Sequence, residues 1–170
     1  MIYVITGLMA SGKSTVAEQL AKEFPKSVHL RGDVFRKMIV SGGKEMSDKP
    51  CEEALSQLEL RYRLTAQATK EYHKAGFTVI VQDNYYGEML PRFLSMLEPE
   101  PVRTIVLCPD VETIRQREDT RPKTGYIGFD VEALHGDFMA TTPRIGLWID
   151  NSRQMPEETV GEILRGTRCT

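Results

Sequence analysis

The feature that most constrains this chain is a glycine-rich stretch at residues 7–15, which reads GLMASGKST and matches the pattern GxxxxGK(S/T). It follows an apolar run at residues 2–6 and precedes a helical pattern, which is the context that such a loop needs to hold phosphate. Glycines let the backbone wrap around phosphate, while successive amide groups and a helix N-terminus supply positive charge. A chance glycine-rich turn would require neither the strand nor the helix, so the pattern predicts binding of nucleotide phosphate.

Individual positions of this loop have separate expected roles. Lys13 adds a charge for the β- and γ-phosphates and is expected to act in catalysis, and the Ser14 hydroxyl is expected to ligate Mg²⁺. The expected ligands are therefore a nucleoside triphosphate (ATP, with GTP not excluded) and Mg²⁺. The residues expected to contact them are Gly7, Ala10, Ser11, Gly12, Lys13, Ser14 and Thr15.

Short apolar runs alternate with helical patterns along the rest of the chain. The predicted strands lie at residues 2–6, 28–31, 78–82, 104–108 and 146–149, and Leu55, Leu58, Tyr62 and Ala66 form the apolar stripe of the longest predicted helix. Apolar strands separated by helices are typical of a parallel sheet that is covered on both faces. Without repeats or linkers, residues 1–170 are predicted to be one three-layer α/β domain, with ligands beyond the carboxyl ends of the strands.

Composition excludes several classes of partner. The 170 residues carry 22 Lys and Arg against 24 Asp and Glu, a formal net charge of −2, which argues against duplex nucleic acid or an anionic membrane. No apolar run approaches the ~20 residues that cross a bilayer, and no basic segment precedes the first strand as in a signal peptide. The cysteines form no CxxC pair and the histidines are isolated, so we expect free thiols, a cytoplasmic location and no histidine-bound metal.

The second predicted strand ends at the sequence Arg31-Gly32-Asp33, followed by Arg36. Asp33 is a good helix N-cap, and capping is the structural interpretation of this residue. The functional interpretation is that a carboxylate at a strand end, beside the phosphate loop, accepts the proton of an attacking hydroxyl. Arg36 lies one helical turn further on and is expected to hold a polar or anionic acceptor.

The third predicted strand also ends in a carboxylate, Asp83, in an arrangement similar to a Walker B motif. Asp83 is expected either to hold Mg²⁺ or to contact the acceptor, although strand-end Asp residues also commonly begin turns. Tyr85 follows and is expected to line the acceptor site, with an ordinary surface loop as the alternative.

Arg117 and Arg121 lie four residues apart on a predicted helix that begins near Asp110 and ends before Pro122, so they share one helix face. Arginines on a closing segment neutralise charge on a transferring phosphoryl group. Residues 117–130 are therefore predicted to form a mobile lid in which both arginines are catalytic and Arg117 also binds the nucleotide. The alternative is a solvated face whose arginines pair with neighbouring acidic residues.

Taken together, the phosphate loop, the GDxxR segment, the strand-end Asp83 and the RxxxR pair resemble the small P-loop kinases over most of the chain. The combination is similar to the chloramphenicol phosphotransferase group, the 5′-kinase domain of phage-type polynucleotide kinase, zeta-toxins and gluconate kinases. The resemblance implies a P-loop NTPase fold with five parallel strands in the order 2-3-1-4-5. It also implies a general base at Asp33, an acceptor contact at Arg36, and lid roles for Arg117 and Arg121.

The expected function is ATP-dependent transfer of the γ-phosphoryl group to a hydroxyl of a small molecule, by a monomer or small homo-oligomer. The alternatives are a polynucleotide or nucleoside 5′-hydroxyl kinase and a non-kinase module that binds or hydrolyses nucleotide. A regulatory GTPase would need NKxD and DxxG motifs, and the sequence contains neither. The acceptor is expected to bind around residues 35–72, where the sequence does not specify its chemistry.

Overall fold

Five strands and seven helices alternate along the part of the chain that a computed structural model describes, residues 1–47, 49–120 and 130–166. The strands are β1 (Ile2–Gly7), β2 (Ser27–Arg31), β3 (Thr78–Gln82), β4 (Val102–Leu107) and β5 (Leu147–Ile149). The helices are α1 (Lys13–Lys22), α2 (Asp33–Lys37), α3 (Glu52–Lys74), α4 (Met89–Leu97), α5 (Val111–Asp119), α6 (Val131–Thr141) and α7 (Pro156–Gly166). None of the described helices is long and apolar enough to span a membrane.

The strands form one parallel sheet in the order β2-β3-β1-β4-β5, which confirms the predicted fold and strand order. β1 lies at the centre and every one of its residues is buried. A strand that is covered on both faces must be apolar on both, because water reaches neither side. The phosphate loop follows directly from this buried strand, so its first residue is held by the most rigid part of the sheet.

Successive residues of β1 point to opposite faces of the sheet and belong to two separate cores. Ile2 and Val4 pack on the face that α3, α4, α5 and α6 cover. Tyr3 and Ile5 pack on the other face, which α1 and α7 cover. The sheet is thus the middle layer of three, as the alternation of strands and helices predicts.

The apolar stripe predicted for α3 is partly wrong. Tyr62 and Ala66 are buried as predicted, but Leu55 is 48% exposed and Ala54 is buried in its place. The first turns of α3 face the preceding loop: Gln57 accepts a hydrogen bond from the Lys44 amide and donates one to the Gly42 carbonyl. The first turns of α3 therefore pack against the preceding loop, whereas the rest of the helix packs on the sheet.

Candidate active site

The phosphate loop joins β1 to α1 through a left-handed turn. Gly12 has φ 95° and occupies the N-cap position of α1, where no side chain caps the helix. A glycine adopts this backbone conformation without steric cost, whereas a residue with a Cβ is strained there. A helix N-terminus without a capping side chain is suited to bind a phosphate group through its backbone amides.

Lys13 is folded back onto its own loop. It is 8% exposed, and its Nζ donates hydrogen bonds to the carbonyl oxygens of Gly7 at 3.0 Å and Leu8 at 2.6 Å. The next residue, Ser14, accepts a hydrogen bond on its hydroxyl from Nε2 of Gln82 at 3.3 Å. The lysine is therefore held at the loop by carbonyl groups, and Gln82 at the end of β3 orients the hydroxyl predicted to ligate Mg²⁺.

A cavity of about 720 Å³ opens at the carboxyl ends of the strands, directly above this loop. A volume of this order suits a small-molecule ligand. Asp33, Asp83 and Arg117 all line this cavity. Its lining consists of Met9, Ala10, Gly12, Lys13, Ser14, Thr15, Val16, Arg31, Asp33, Gln82, Asp83, Asn84, Arg117, Thr120, Asn151, Gln154, Met155, Pro156 and Thr159.

Arg117 lies over the phosphate loop. Its helix begins at the N-cap Asp110, as predicted, and its Nη1 donates to the Ser11 carbonyl at 3.2 Å. Its Nη2 donates to the Asn151 carbonyl at 2.9 Å. Burial lowers the pKa of this guanidinium, although the Asp110 charge opposes the shift. The structure thus brings Arg117 to the nucleotide side of the cavity, whereas Arg121 and most of the predicted lid lie outside the described residues.

Asn151, in the segment that follows β5, also lines this side of the cavity. It is 3% exposed, and its Nδ2 donates to the Ser11 carbonyl at 3.0 Å. Its Oδ1 is buried and has no hydrogen-bond partner in the described structure. Asn151 and Arg117 therefore hold the same loop carbonyl from two sides, and the segment after β5 becomes part of the phosphate site.

Asp33 is the first residue of α2 and not its N-cap, so the prediction that it caps the helix is wrong. Gly32 occupies the N-cap position, and no side chain makes a capping hydrogen bond there. Lys37, one turn further along, donates instead to Oδ2 of Asp33, and Nε of Arg31 lies 3.6 Å from Oδ1. Within the described structure, Oδ1 is buried and accepts no hydrogen bond.

The surroundings of Asp33 keep its carboxylate ionised. Burial acts to raise its pKa, but the hydrogen bond and charge of Lys37, with the charges of Arg31 and Arg61, bring the pKa below its ordinary value. An ionised carboxylate with one oxygen free of hydrogen bonds accepts a proton readily. Asp33 therefore has the geometry of a base that faces the cavity.

Asp83 has a partner that the sequence pattern did not indicate, Arg61 on α3. Nε of Arg61 donates to Oδ2 of Asp83 at 2.8 Å, and Nη2 donates to Oδ1 at 2.5 Å. The Asn84 amide donates to Oδ1 at 2.8 Å. Because protein groups already donate to both oxygens, the structure lends no support to direct ligation of Mg²⁺ by Asp83.

Two residues predicted to bind the acceptor lie elsewhere. The Tyr85 side chain has no exposed surface and stacks on Phe93 at 3.9 Å between ring centroids, so it belongs to the core and not to the cavity. Thr6 fixes this arrangement, since its hydroxyl accepts from the Tyr85 amide at 2.9 Å and donates to the Tyr85 carbonyl at 2.5 Å. Arg36 is absent from the cavity lining and pairs with Glu45.

The residues around Ser14 fit a magnesium ion held mainly by phosphate and water. Mg²⁺ prefers oxygen ligands and is usually held by one or two protein groups plus substrate phosphates. The Ser14 hydroxyl lies at the cavity and supplies one such oxygen. Among the described residues, no group of three or more His, Cys, Asp and Glu side chains forms an all-protein metal site.

Comparison with known proteins agrees with this geometry. Solved structures with the same fold include a sugar kinase from Janibacter sp. HTCC2649, with a TM-score of 0.68 and 21% identity over 98% of this chain and 94% of that one. The Deinococcus radiodurans tunicamycin resistance protein has a TM-score of 0.73 and 16% identity over 98% and 94% of the two chains. Shikimate kinase from Aquifex aeolicus has a TM-score of 0.67 and 17% identity over 99% and 96%.

At these identities the structural matches establish the fold alone, and no curated protein matches the sequence. The family assignment rests on the sequence itself. A family model described as AAA domain matches residues 2–142, which include the phosphate loop, both strand-end carboxylates and Arg117. The chain therefore belongs to this AAA domain family.

Proposed function

We propose that the protein transfers the γ-phosphoryl group of ATP to a hydroxyl group of a small molecule. The observation that carries this proposal is that one cavity joins the phosphate loop, Arg117 and the carboxylate of Asp33, one oxygen of which accepts no hydrogen bond within the described structure. Nucleotide binding by itself requires only the phosphate loop. A carboxylate in the same cavity can take the proton of an attacking group, which is either an acceptor hydroxyl or water.

The phosphate loop would hold the triphosphate through the amide groups at the start of α1. Lys13 makes its present hydrogen bonds to carbonyl groups, and we propose that it exchanges them for the β- and γ-phosphate oxygens. Arg117, which already lies over the Ser11 carbonyl, neutralises the charge that develops on the transferring group. Ser14 would hold Mg²⁺ together with the phosphates, and the ion would supply further neutralisation of that charge.

Transfer follows with atoms and charges balanced. The acceptor oxygen forms a bond to the γ-phosphorus as the bond from that phosphorus to the bridging β–γ oxygen breaks, and ADP leaves. The hydroxyl proton passes to Oδ1 of Asp33 and afterwards to solvent. The lowered pKa of Asp33 means that this carboxylate is ready to accept a proton before the acceptor arrives. Phosphoryl transfer depends mainly on such positioning and charge stabilisation.

The proposal is tested by measuring ADP formation from ATP and Mg²⁺ with and without added hydroxyl compounds. The screen contains sugars, polyols, nucleosides, hydroxyl-bearing antibiotics and 5′-hydroxyl oligonucleotides. ADP formation that depends on one of the small molecules is the expected result. Dependence on the oligonucleotides alone identifies a polynucleotide kinase instead. Nucleotide turnover at the same rate with every acceptor and with none would identify a hydrolysing module and contradict the proposal.

A further inference from the structure

The buried ion pair between Arg61 and Asp83 is not accounted for by nucleotide binding or by proton transfer. The side chains are 13% and 5% exposed, and the guanidinium binds the carboxylate through two nearly parallel hydrogen bonds. Although burial acts to lower it, the pKa of Arg61 is raised, because the Asp83 charge lies beside it. Burying two charges costs free energy unless they are paired in good geometry, so this pair is retained where its position matters.

The pair lies at the wall of the cavity that carries the proposed base. Asp83 and Asn84 line the cavity, whereas Arg61 is not among the lining residues. On its other side Asp83 touches Gly32, whose position leaves no space for a side chain, since a Cβ there would lie 2.9 Å from Cγ of Asp83 and overlap its oxygen. Gly32 directly precedes Asp33, so the Asp83 carboxylate is packed between Arg61 and the backbone that carries the base.

In this geometry the anion that binds Arg61 is a carboxylate of the protein itself. A guanidinium binds a planar carboxylate or a phosphate through the same two-pronged arrangement, and the Asp83 carboxylate already fills it. A ligand with its own carboxylate or phosphate would meet Asp83 and Asp33 at this wall, and like charges in a partly buried site repel each other.

The other cations of this region are also engaged. Lys37 and Arg31 both pair with Asp33, and Arg36 pairs with Glu45. The Arg36–Glu45 pair is solvated, with 79% of the Glu45 side chain exposed, and exposed pairs contribute little. Of these ion pairs, the Arg61–Asp83 pair is the one whose two side chains are both buried from solvent.

We propose that the acceptor is electrically neutral in the part that enters the cavity, and that Asp83 is the residue that determines this specificity. This inference rests on the proposed kinase function and deepens it by naming the acceptor class. It assigns Asp83 a role through Arg61 and not a role in the transfer step. Neutral polyols, sugars and nucleosides belong to this class, whereas sugar acids and sugar phosphates do not.

The test compares the wild-type protein with the Asp83→Asn variant, using D-glucose and D-gluconate as a neutral and an anionic probe. Each protein is loaded with Mg²⁺ and a non-hydrolysable ATP analogue, and the probes are titrated by calorimetry. Asp83→Asn removes the negative charge that Arg61 now pairs with, so the affinity of the variant for D-gluconate is expected to rise by about tenfold to a hundredfold, the range for hydrogen bonds to a charged group. D-glucose binding is expected to change much less.

Two controls separate this effect from general charge removal. Asp137→Asn removes one exposed carboxylate on α6, outside the cavity lining, and is expected to leave D-gluconate binding as in wild type. The double variant Asp83→Asn with Arg61→Gln removes the proposed anion receptor and is expected to lose the gain. A gain that persists in the double variant, or a folded Asp83→Asn variant without any gain, would overturn the assignment.

A second measurement does not depend on the variants. Wild-type ADP formation is ranked for matched pairs of neutral and anionic acceptors, such as D-glucose with D-gluconate and a nucleoside with its 5′-phosphate. The neutral member is expected to be preferred, and a preferred anionic member or equal wild-type affinity for both probes contradicts the inference.

If no acceptor supports ADP formation, the proposed function fails, while the calorimetric comparison still decides the role of Asp83. Should Asp83→Asn fail to fold, the wild-type ranking and affinities decide it.

Discussion

At the scale of single residues, the phosphate loop and the base have separable contributions. Nζ of Lys13 donates to two carbonyl groups of its own loop, and Asp33 pairs with Lys37 and Arg31. Neither residue belongs to either hydrophobic core. Substitutions at these two positions are therefore expected to change ligand binding and transfer more than the stability of the fold.

Lys13→Ala is expected to weaken ATP binding by tenfold or more, because a charge-assisted contact to phosphate contributes about 1.5–3 kcal/mol. Calorimetry with Mg²⁺ and the non-hydrolysable analogue measures the affinity, and circular dichroism checks the fold. Lys22→Ala, which removes an exposed lysine from the last turn of the same helix, is the matched control. Unchanged ATP affinity and turnover in Lys13→Ala would contradict the assignment of the loop.

Asp33→Asn is expected to lose about 10²–10⁴-fold in acceptor-dependent ADP formation, because an amide accepts no proton in general-base catalysis. Nucleotide affinity and melting temperature are expected to stay close to wild type, since the side chain neither caps α2 nor belongs to a core. The transfer rate and a thermal melt are measured on the same preparation. Full activity in a stable variant would remove Asp33 as the base.

The lowered pKa of Asp33 also predicts a pH dependence of stability. Its ionised form is favoured in the folded state, so it stabilises the protein above the unfolded value of about 3.9. That stabilisation is lost as the pH falls through the still lower folded-state pKa. The free energy of unfolding in urea is therefore expected to be higher for wild type than for Asp33→Asn at neutral pH. The difference is expected to be no more than about 1 kcal/mol, because the pair is partly solvated, and to disappear in acid. If the difference in unfolding free energy grew on acidification, folding would raise the pKa of Asp33 and not lower it.

At the scale of secondary-structure elements, α5 and the segment after β5 control the nucleotide side. Asp110 caps α5 by accepting a hydrogen bond from the Thr113 amide at 2.7 Å, and its own amide donates to the Ser152 hydroxyl at 2.8 Å. The cap thus links the start of α5 to the turn that follows Asn151. Arg117 on the same helix then reaches the phosphate loop.

Asp110→Ala is expected to destabilise the protein by about 0.5–2 kcal/mol, the usual effect of losing an N-cap, while Asp110→Asn retains most of the cap. Urea denaturation measures both variants. Because α5 carries Arg117, the alanine variant is also expected to show a lower kcat for acceptor-dependent ADP formation than the asparagine variant. Equal stability of the two variants would show that the capping bond contributes nothing.

At the scale of the whole molecule, the central strand connects the phosphate loop to the two cores. β1 pairs with β3 and β4, and the phosphate loop begins where β1 ends. A ligand that binds there stabilises the folded state of the entire domain by mass action, since the unfolded chain has no such loop geometry.

ATP with Mg²⁺ at about 100 times its Kd is expected to stabilise the protein by about 2.7 kcal/mol, which corresponds to a Tm increase of roughly 5–10 °C at this chain length. Removal of Mg²⁺ by a chelator is expected to reduce the increase, because Ser14 and the phosphates then share no cation. Scanning calorimetry measures both. A Tm that does not respond to ATP would contradict nucleotide binding.

The sequence by itself determined the parts that depend on neighbouring residues and on periodicity. A phosphate loop is a contiguous segment whose backbone conformation its own glycines permit, and parallel strands covered on both faces are continuous apolar runs. The strand order came from family resemblance, and the described structure confirms it. Asp33 and Arg117 were identifiable because each follows a local signal, a strand end or a helical spacing.

Only the tertiary structure decided which distant side chains meet. Arg61 reaches Asp83 from 22 residues away, and Asn151 reaches Ser11 from 140 residues away. Tyr85 is in the core because Thr6 binds its backbone and Phe93 stacks on its ring. Such contacts depend on how the layers pack, since burial decides which ring is covered and pairing decides which charge is neutralised, and neither leaves a period or a motif in the chain.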